Sequence, residues 1–130
     1  MTAERSEARR VLVVEDDDSI ATALEYVIDR EGLDQSRVAH GGEALERIRS
    51  FRPHLVLLDV MLPEVSGFEI CRSVRSDGSL SGVKILMMTA RGSANERRKG
   101  LELGADGFVT KPFELKSLRD EMRRLLSPGP

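Results

Sequence analysis

The sequence predicts an α/β domain in three layers, a doubly wound sheet of five parallel strands, (βα)5, with helices on both faces. Two observations carry this. Three short runs, Val11–Val14, Leu55–Leu58 and Ile85–Met88, are almost continuously apolar, as central parallel strands covered on both faces must be. The stretches between the runs have helical period and suit crossover helices better than hairpin turns. With right-handed crossovers, five such strand–helix units give an open doubly wound sheet.

Each element follows from local pattern. Ile20, Leu24, Val27 and Ile28 lie at offsets 0, 4, 7 and 8, one face of a helix opened by a cap within Asp17–Ser19 and closed by Gly32. Around Gln35–Ala39 the apolar signal is weak, and the segment reads as an edge strand. Gly67 opens the third helix, on which Cys71 faces the sheet as a small core residue. The segment Asn95–Leu103 carries Glu96-Arg97-Arg98-Lys99 and has little to bury, so it reads as a mobile helix with a solvated basic face. Gly107–Thr110 forms a last short strand. Leu115, Leu118, Met122, Leu125 and Leu126 stripe the closing helix, with Pro112 just before its start.

Composition narrows the function. The 130 residues carry 20 Lys and Arg against 22 Asp and Glu, a net charge of −2, so no global positive field draws in nucleic acid or an anionic membrane. Cys71 is the single cysteine and can close no disulfide, which fits a reducing, cytoplasmic setting. Residues 1–9 read as a polar segment, disordered or a short extension, without the apolar stretch of a signal peptide, 10–126 as one domain, and 127–130 as a tail or cut linker. No apolar run approaches membrane-spanning length.

Ligands of such sheets bind at the carboxyl ends of the strands. Those ends read Glu15-Asp16-Asp17, Asp59, Thr89 and Thr110-Lys111-Pro112. Converging carboxylates repel one another, and oxygen-only ligands suit a hard cation such as Mg²⁺, which also recruits phosphate oxygens. An acid pair after a strand is as readily a helix cap. Asp59 is less easily dismissed, because a buried apolar run has no structural need to end in a carboxylate. His40 and His54 have no partner motif and read as boundary histidines.

VLVVEDD at 11–17, LVLLDVMLPEVSGFE at 55–69, MMTARG at 87–92 and GLELGADGFVTKPF at 100–113 together resemble the receiver domain of two-component response regulators, from about Arg10 to Leu126. The resemblance implies a flavodoxin-like strand order 2-1-3-4-5. It implies Asp59 as phosphoacceptor for a sensor histidine kinase or phosphotransfer protein. Mg²⁺, or Mn²⁺ in its place, would be held by Asp16, Asp59 and the Met61 backbone carbonyl, with Glu15 acting through water. Thr89 and Lys111 would engage the phosphoryl oxygens, a cis Lys111–Pro112 bond would turn the lysine inward, and Phe108 would be the aromatic switch. Pro63 and Gly67 shape the loop after Asp59, and Met61 and Arg91 stand where the family tunes phosphoryl lifetime.

TARG at 89–92 and GLELGAD at 100–106 look like receivers joined to winged-helix transcription factors. Such receivers engage an effector domain or a second copy through the face of the fourth helix, fifth strand and fifth helix. Many of them carry Asp where this chain has Gly107 and Tyr where it has Phe108. The expectation is a self-modifying switch and not an enzyme acting on other substrates, with no nucleic-acid or membrane contact of its own. A haloacid-dehalogenase-type phosphatase would want a general acid two residues after Asp59, where Met61 stands. A flavodoxin-like electron carrier would not place Glu15-Asp16-Asp17 against a flavin phosphate. A degenerate receiver serving only as an interaction module would have no use for the intact set.

Overall fold

The computed structural model describes residues 9–90 and 93–127. The expectations for residues 1–8, Arg91 and 128–130 lie outside them. Five parallel strands, β1 (Arg10–Val14), β2 (Asp34–Val38), β3 (Leu55–Asp59), β4 (Lys84–Ala90) and β5 (Gly107–Lys111), form one sheet in the order β2-β1-β3-β4-β5. Helices α1 (Asp18–Arg30) and α5 (Leu115–Leu126) pack on one face, and α2 (Ala44–Phe51), α3 (Gly67–Ser76) and α4 (Ala94–Leu103) on the other.

Strand periodicity divides the core into two layers. Leu12, Val14, Val56, Leu58, Ile85 and Met87 face α2 and α3, and Val11, Val13, Leu55, Leu57, Leu86 and Met88 face α1 and α5. All twelve are fully buried, which is why the three runs show no polar alternation. Cys71 is buried with them, its thiol donating to the Leu103 carbonyl at 3.4 Å. Desolvation raises its pKa to about 11, so it is protonated at neutral pH.

The structure departs from the expected elements in small ways with clear causes. β2 begins at Asp34 and ends at Val38, one residue earlier than read, because the Val38 carbonyl accepts the Glu15 N–H (3.1 Å) and Ala39 lies beyond the ladder. Of this strand only Val38 is buried. Leu115 is 46% exposed, not part of the buried stripe; it lines an open groove with Ser19, Ile20 and Ala23 of α1, while Leu118, Met122 and Leu125 are buried. α1 is capped by Asp17, whose carboxylate accepts the Ile20 N–H at 3.0 Å, and ends before Gly32.

Gly67 opens α3 directly against the end of β3. A Cβ there would collide with the Asp59 carbonyl oxygen and lie 2.9 Å from Val60 Cα. Both obstacles are backbone and cannot swing aside. Gly67→Ala is expected to cost about 1–3 kcal/mol of unfolding free energy, read from the urea midpoint.

At the opposite edge, His54 Nδ1 accepts the Arg10 backbone N–H at 2.9 Å. Burial, then the charges of Arg10 and Arg9, holds the His54 pKa below its ordinary 6.5. The unfolded chain therefore binds this proton more tightly. The stabilisation is present above pH 6.5 and is lost as pH falls through that value and the lower folded one. Between about pH 7.5 and about pH 5.5 the urea midpoint of the wild type should fall more than that of His54→Asn, whose amide oxygen accepts without titrating.

Candidate functional site

Parallel strands bring their carboxyl ends to one edge, and the chain's acids meet there. β1 runs into Glu15, which is buried; β3 ends on Asp59, 2% exposed; β4 carries buried Thr89; β5 ends on Lys111. Lys111 Nζ donates to Asp59 Oδ2 at 3.0 Å. It also lies 3.0 Å from Glu15 Oε1, a charge contact without hydrogen-bond alignment. Oxygens of Glu15, Asp16 and Asp59 fall within 4.8 Å of one another. The sequence-predicted acids, threonine and lysine thus meet at one edge, and the Lys111–Pro112 peptide is cis.

Each carboxylate is held differently. The Glu15 Oε2 atom accepts the Asp17 N–H at 3.0 Å. Asp59 Oδ1 accepts the Met61 N–H at 3.0 Å, while the Met61 side chain is 70% exposed. Asp16 is exposed, and no side-chain partner for it occurs among the described residues. Burial raises the Glu15 pKa, reinforced by Asp59 and opposed by the Asp17 N–H and Lys111. For Lys111, burial pulls downward, but the hydrogen bond to Asp59 and the close charges of Asp59 and Glu15 outweigh it and the pKa is raised. The lysine is therefore a firm cation.

The Thr89 hydroxyl is fully buried and has no hydrogen-bond partner among the described residues. Buried polar groups are normally hydrogen-bonded, and this hydroxyl at the ligand edge fits a donor or acceptor supplied by a bound group. Phe108 is half-buried on β5 against α4. A Cβ at Gly100 would lie 2.8 Å from Phe108 Cε1 and 2.8 Å from Met87 Sδ, so this glycine lets the helix close on the ring.

Two participants carry no sequence signal of their own. Arg37 on β2 places Nε and Nη2 at 3.1 and 2.8 Å from the Glu15 carbonyl. Glu96 on α4 accepts the Ala90 N–H at 3.0 Å. Both resemble ordinary surface charges in the sequence, and only folding brings them to the site. His40 is exposed, and His54 lies at the start of β3; neither joins the cluster. Among the described residues no helix is long and apolar enough to cross a membrane.

A doubly wound sheet with this edge defines a class, and comparison with known proteins identifies it. Residues 11–123 match the family model described as the response regulator receiver domain. The DNA-binding response regulator MtrA of Mycolicibacterium smegmatis is 45% identical over 118 residues, covering 91% of this chain and 50% of MtrA. The chain thus spans about half the length of the curated relatives it matches. A candidate response regulator of Chloroflexus aurantiacus superposes with a TM-score of 0.90 at 34% identity, covering 94% of this chain and 100% of that one. The receiver domain of the Pseudomonas aeruginosa sensor histidine kinase PA1611, solved with a magnesium ion in its active-site cleft, gives 0.82 at 26% identity over 91% and 97% of the two chains. The chain belongs to the response regulator receiver family and is a receiver domain of two-component signalling.

The ion contacts of Lys111 set an expectation about stability. Lys111→Met leaves Glu15 and Asp59 facing each other without their shared cation, and should lower unfolding free energy by about 3 kcal/mol in EDTA. Urea denaturation measures the loss. Added Mg²⁺ should recover more stability in this variant than it adds to the wild type, since the competing ammonium is gone.

Proposed function

We propose that Asp59 accepts a phosphoryl group from a phosphohistidine on a partner kinase or phosphotransfer protein, and that the aspartyl phosphate switches the domain between two packings. The observation that carries this is the meeting of the Asp59 carboxylate and the Lys111 ammonium, 3.0 Å apart, on the same edge as the unpartnered buried hydroxyl of Thr89. A nucleophile, a fixed cation and a buried hydroxyl suit an incoming phosphoryl group.

A carboxylate oxygen of Asp59 attacks phosphorus, the donor's P–N bond breaks, and its electron pair returns to the imidazole. Phosphoryl transfer needs placement and charge neutralisation more than covalent help. Lys111 faces the equatorial oxygens, and the Thr89 hydroxyl donates to one of them. The oxygen-only cluster fits a hard cation. Asp16, Asp59 and the Met61 carbonyl would hold Mg²⁺, or Mn²⁺, with Glu15 acting through water. That ion supplies further charge neutralisation when bound.

As Thr89 turns to the phosphoryl group it vacates space for Phe108, which repacks the surface of α4, β5 and α5. That surface is the route to an effector domain or a second copy of the chain. In this reading the domain catalyses only its own phosphorylation and dephosphorylation and works in the cytoplasm. Position 61 argues against a phosphatase, because it offers no general acid.

Intact mass after incubation with acetyl phosphate and Mg²⁺ tests the reading. One phosphoryl increment is expected, absent from Asp59→Asn and from samples held in EDTA. Thr89→Ala should still accept the group. An increment that survives in Asp59→Asn would refute Asp59 as the acceptor.

A further inference from the structure

We propose that Arg37 is a positioning residue for the cation site: its guanidinium fixes the peptide between Glu15 and Asp16 and so places the Asp16 carboxylate. The inference rests on the proposed reading of Glu15, Asp16 and Asp59 as a Mg²⁺ site. Of these three acids, Glu15 is held by the Asp17 N–H and Lys111, and Asp59 by the Met61 N–H and Lys111. Asp16 has no such tether. Its position depends on the backbone that carries it.

That backbone is clamped from the edge strand. Arg37 directs Nε and Nη2 onto the Glu15 carbonyl at 3.1 and 2.8 Å, and Nη1 onto Asp18 Oδ1 at 2.9 Å. Two donors of one planar group thus grip the carbonyl just before α1, while the third nitrogen makes only a charge contact with the exposed Asp18 carboxylate, a geometry that a lysine cannot reproduce. The Arg37 side chain is only 23% exposed. β2 is braced in turn by Arg47 of α2, whose Nη1 donates to Ser36 Oγ at 2.6 Å. The carbonyl receiving the fork belongs to the peptide whose nitrogen is that of Asp16, so its plane sets where that residue's side chain starts.

Charge and positioning predict opposite signs, which makes the role testable. A guanidinium beside an acidic site repels a cation, so if Arg37 acted only as a charge its removal would tighten Mg²⁺ binding. If it positions Asp16, removal weakens binding although a repulsive charge has gone. Outer-sphere contacts that orient metal ligands are commonly worth a factor of ten or more in affinity.

The experiment is a Mg²⁺ titration of wild type, Arg37→Gln and Arg37→Lys, followed by calorimetry and by backbone amide shifts. Metal-free urea curves confirm that each variant is folded. Arg37→Gln is expected to bind Mg²⁺ about tenfold more weakly. Arg37→Lys, which keeps the charge and loses the fork, should not restore the affinity. Mg²⁺-induced shifts should persist around Asp59 and shrink at Asp16 and Asp17, a pattern that a general loss of stability would not produce. Affinity unchanged or tighter in Arg37→Gln, or restored in Arg37→Lys, overturns the positioning role and leaves the phosphoacceptor reading intact. Failure of the wild type itself to bind Mg²⁺ overturns both the role and the metal site on which it rests.

Discussion

The ammonium of Lys111, 3.0 Å from an oxygen of each of two buried carboxylates, is the contact on which the carboxyl edge depends. Bringing Glu15 and Asp59 out of water side by side costs desolvation and mutual repulsion. A cation shared between them offsets both. It also fixes geometry, because β1 and β3 are neighbours in the sheet while β5 lies beyond β4. Lys111 must therefore reach across the end of β4, the strand that carries Thr89. One interaction thus ties together the ends of three strands, while the fourth strand's hydroxyl is buried without a partner among the described residues.

The two edges of the sheet are built on opposite principles. At the amino edge, polar groups are paired. Arg10 Nε donates to the carbonyls of Phe51 and Arg52, and His54 accepts from Arg10. Asp106 Oδ2 receives both the Ile85 N–H and Arg75, which also donates to the Gly104 and Val83 carbonyls. These contacts, with the two apolar layers, hold the sheet independently of the site. The carboxyl edge can then keep an exposed Asp16 and an unsatisfied Thr89 without threatening the fold, the usual bargain between stability and function.

What the sequence disclosed follows from burial. β1, β3 and β4 were legible because both faces of each are covered, so their apolar runs are unbroken. β2 was legible only as a weak edge, since Asp34 to Arg37 remain at least partly exposed and pattern could not fix its register to the residue. The exposure of Leu115 hid in the same way, because periodicity says which side Leu115 shares with Leu118 and not whether anything covers it there. The site acids were legible because parallel strands deliver their last residues to a common line. Arg37, Glu96 and the Met61 N–H were not, because backbone donors and long charged side chains acquire their partners only through tertiary approach.

The thin apolar face of α4 gives this edge its mechanical character. Gly100 is the helix's one buried residue. Beyond Leu103, which packs partly buried against the core, α4 is tied by single polar or edge contacts: Glu96 to the Ala90 N–H, Arg97 to Thr110 Oγ1, the Leu103 carbonyl to Cys71, and Lys99 over the Phe68 ring. Each of these can be exchanged for water at small net cost, whereas moving α1 or α5 would expose several buried aliphatic side chains apiece. In the proposed reading, a small change in interaction energy at the carboxyl edge therefore reaches α4 and Phe108 first, because α4 is where the sequence spends the fewest apolar residues on burial.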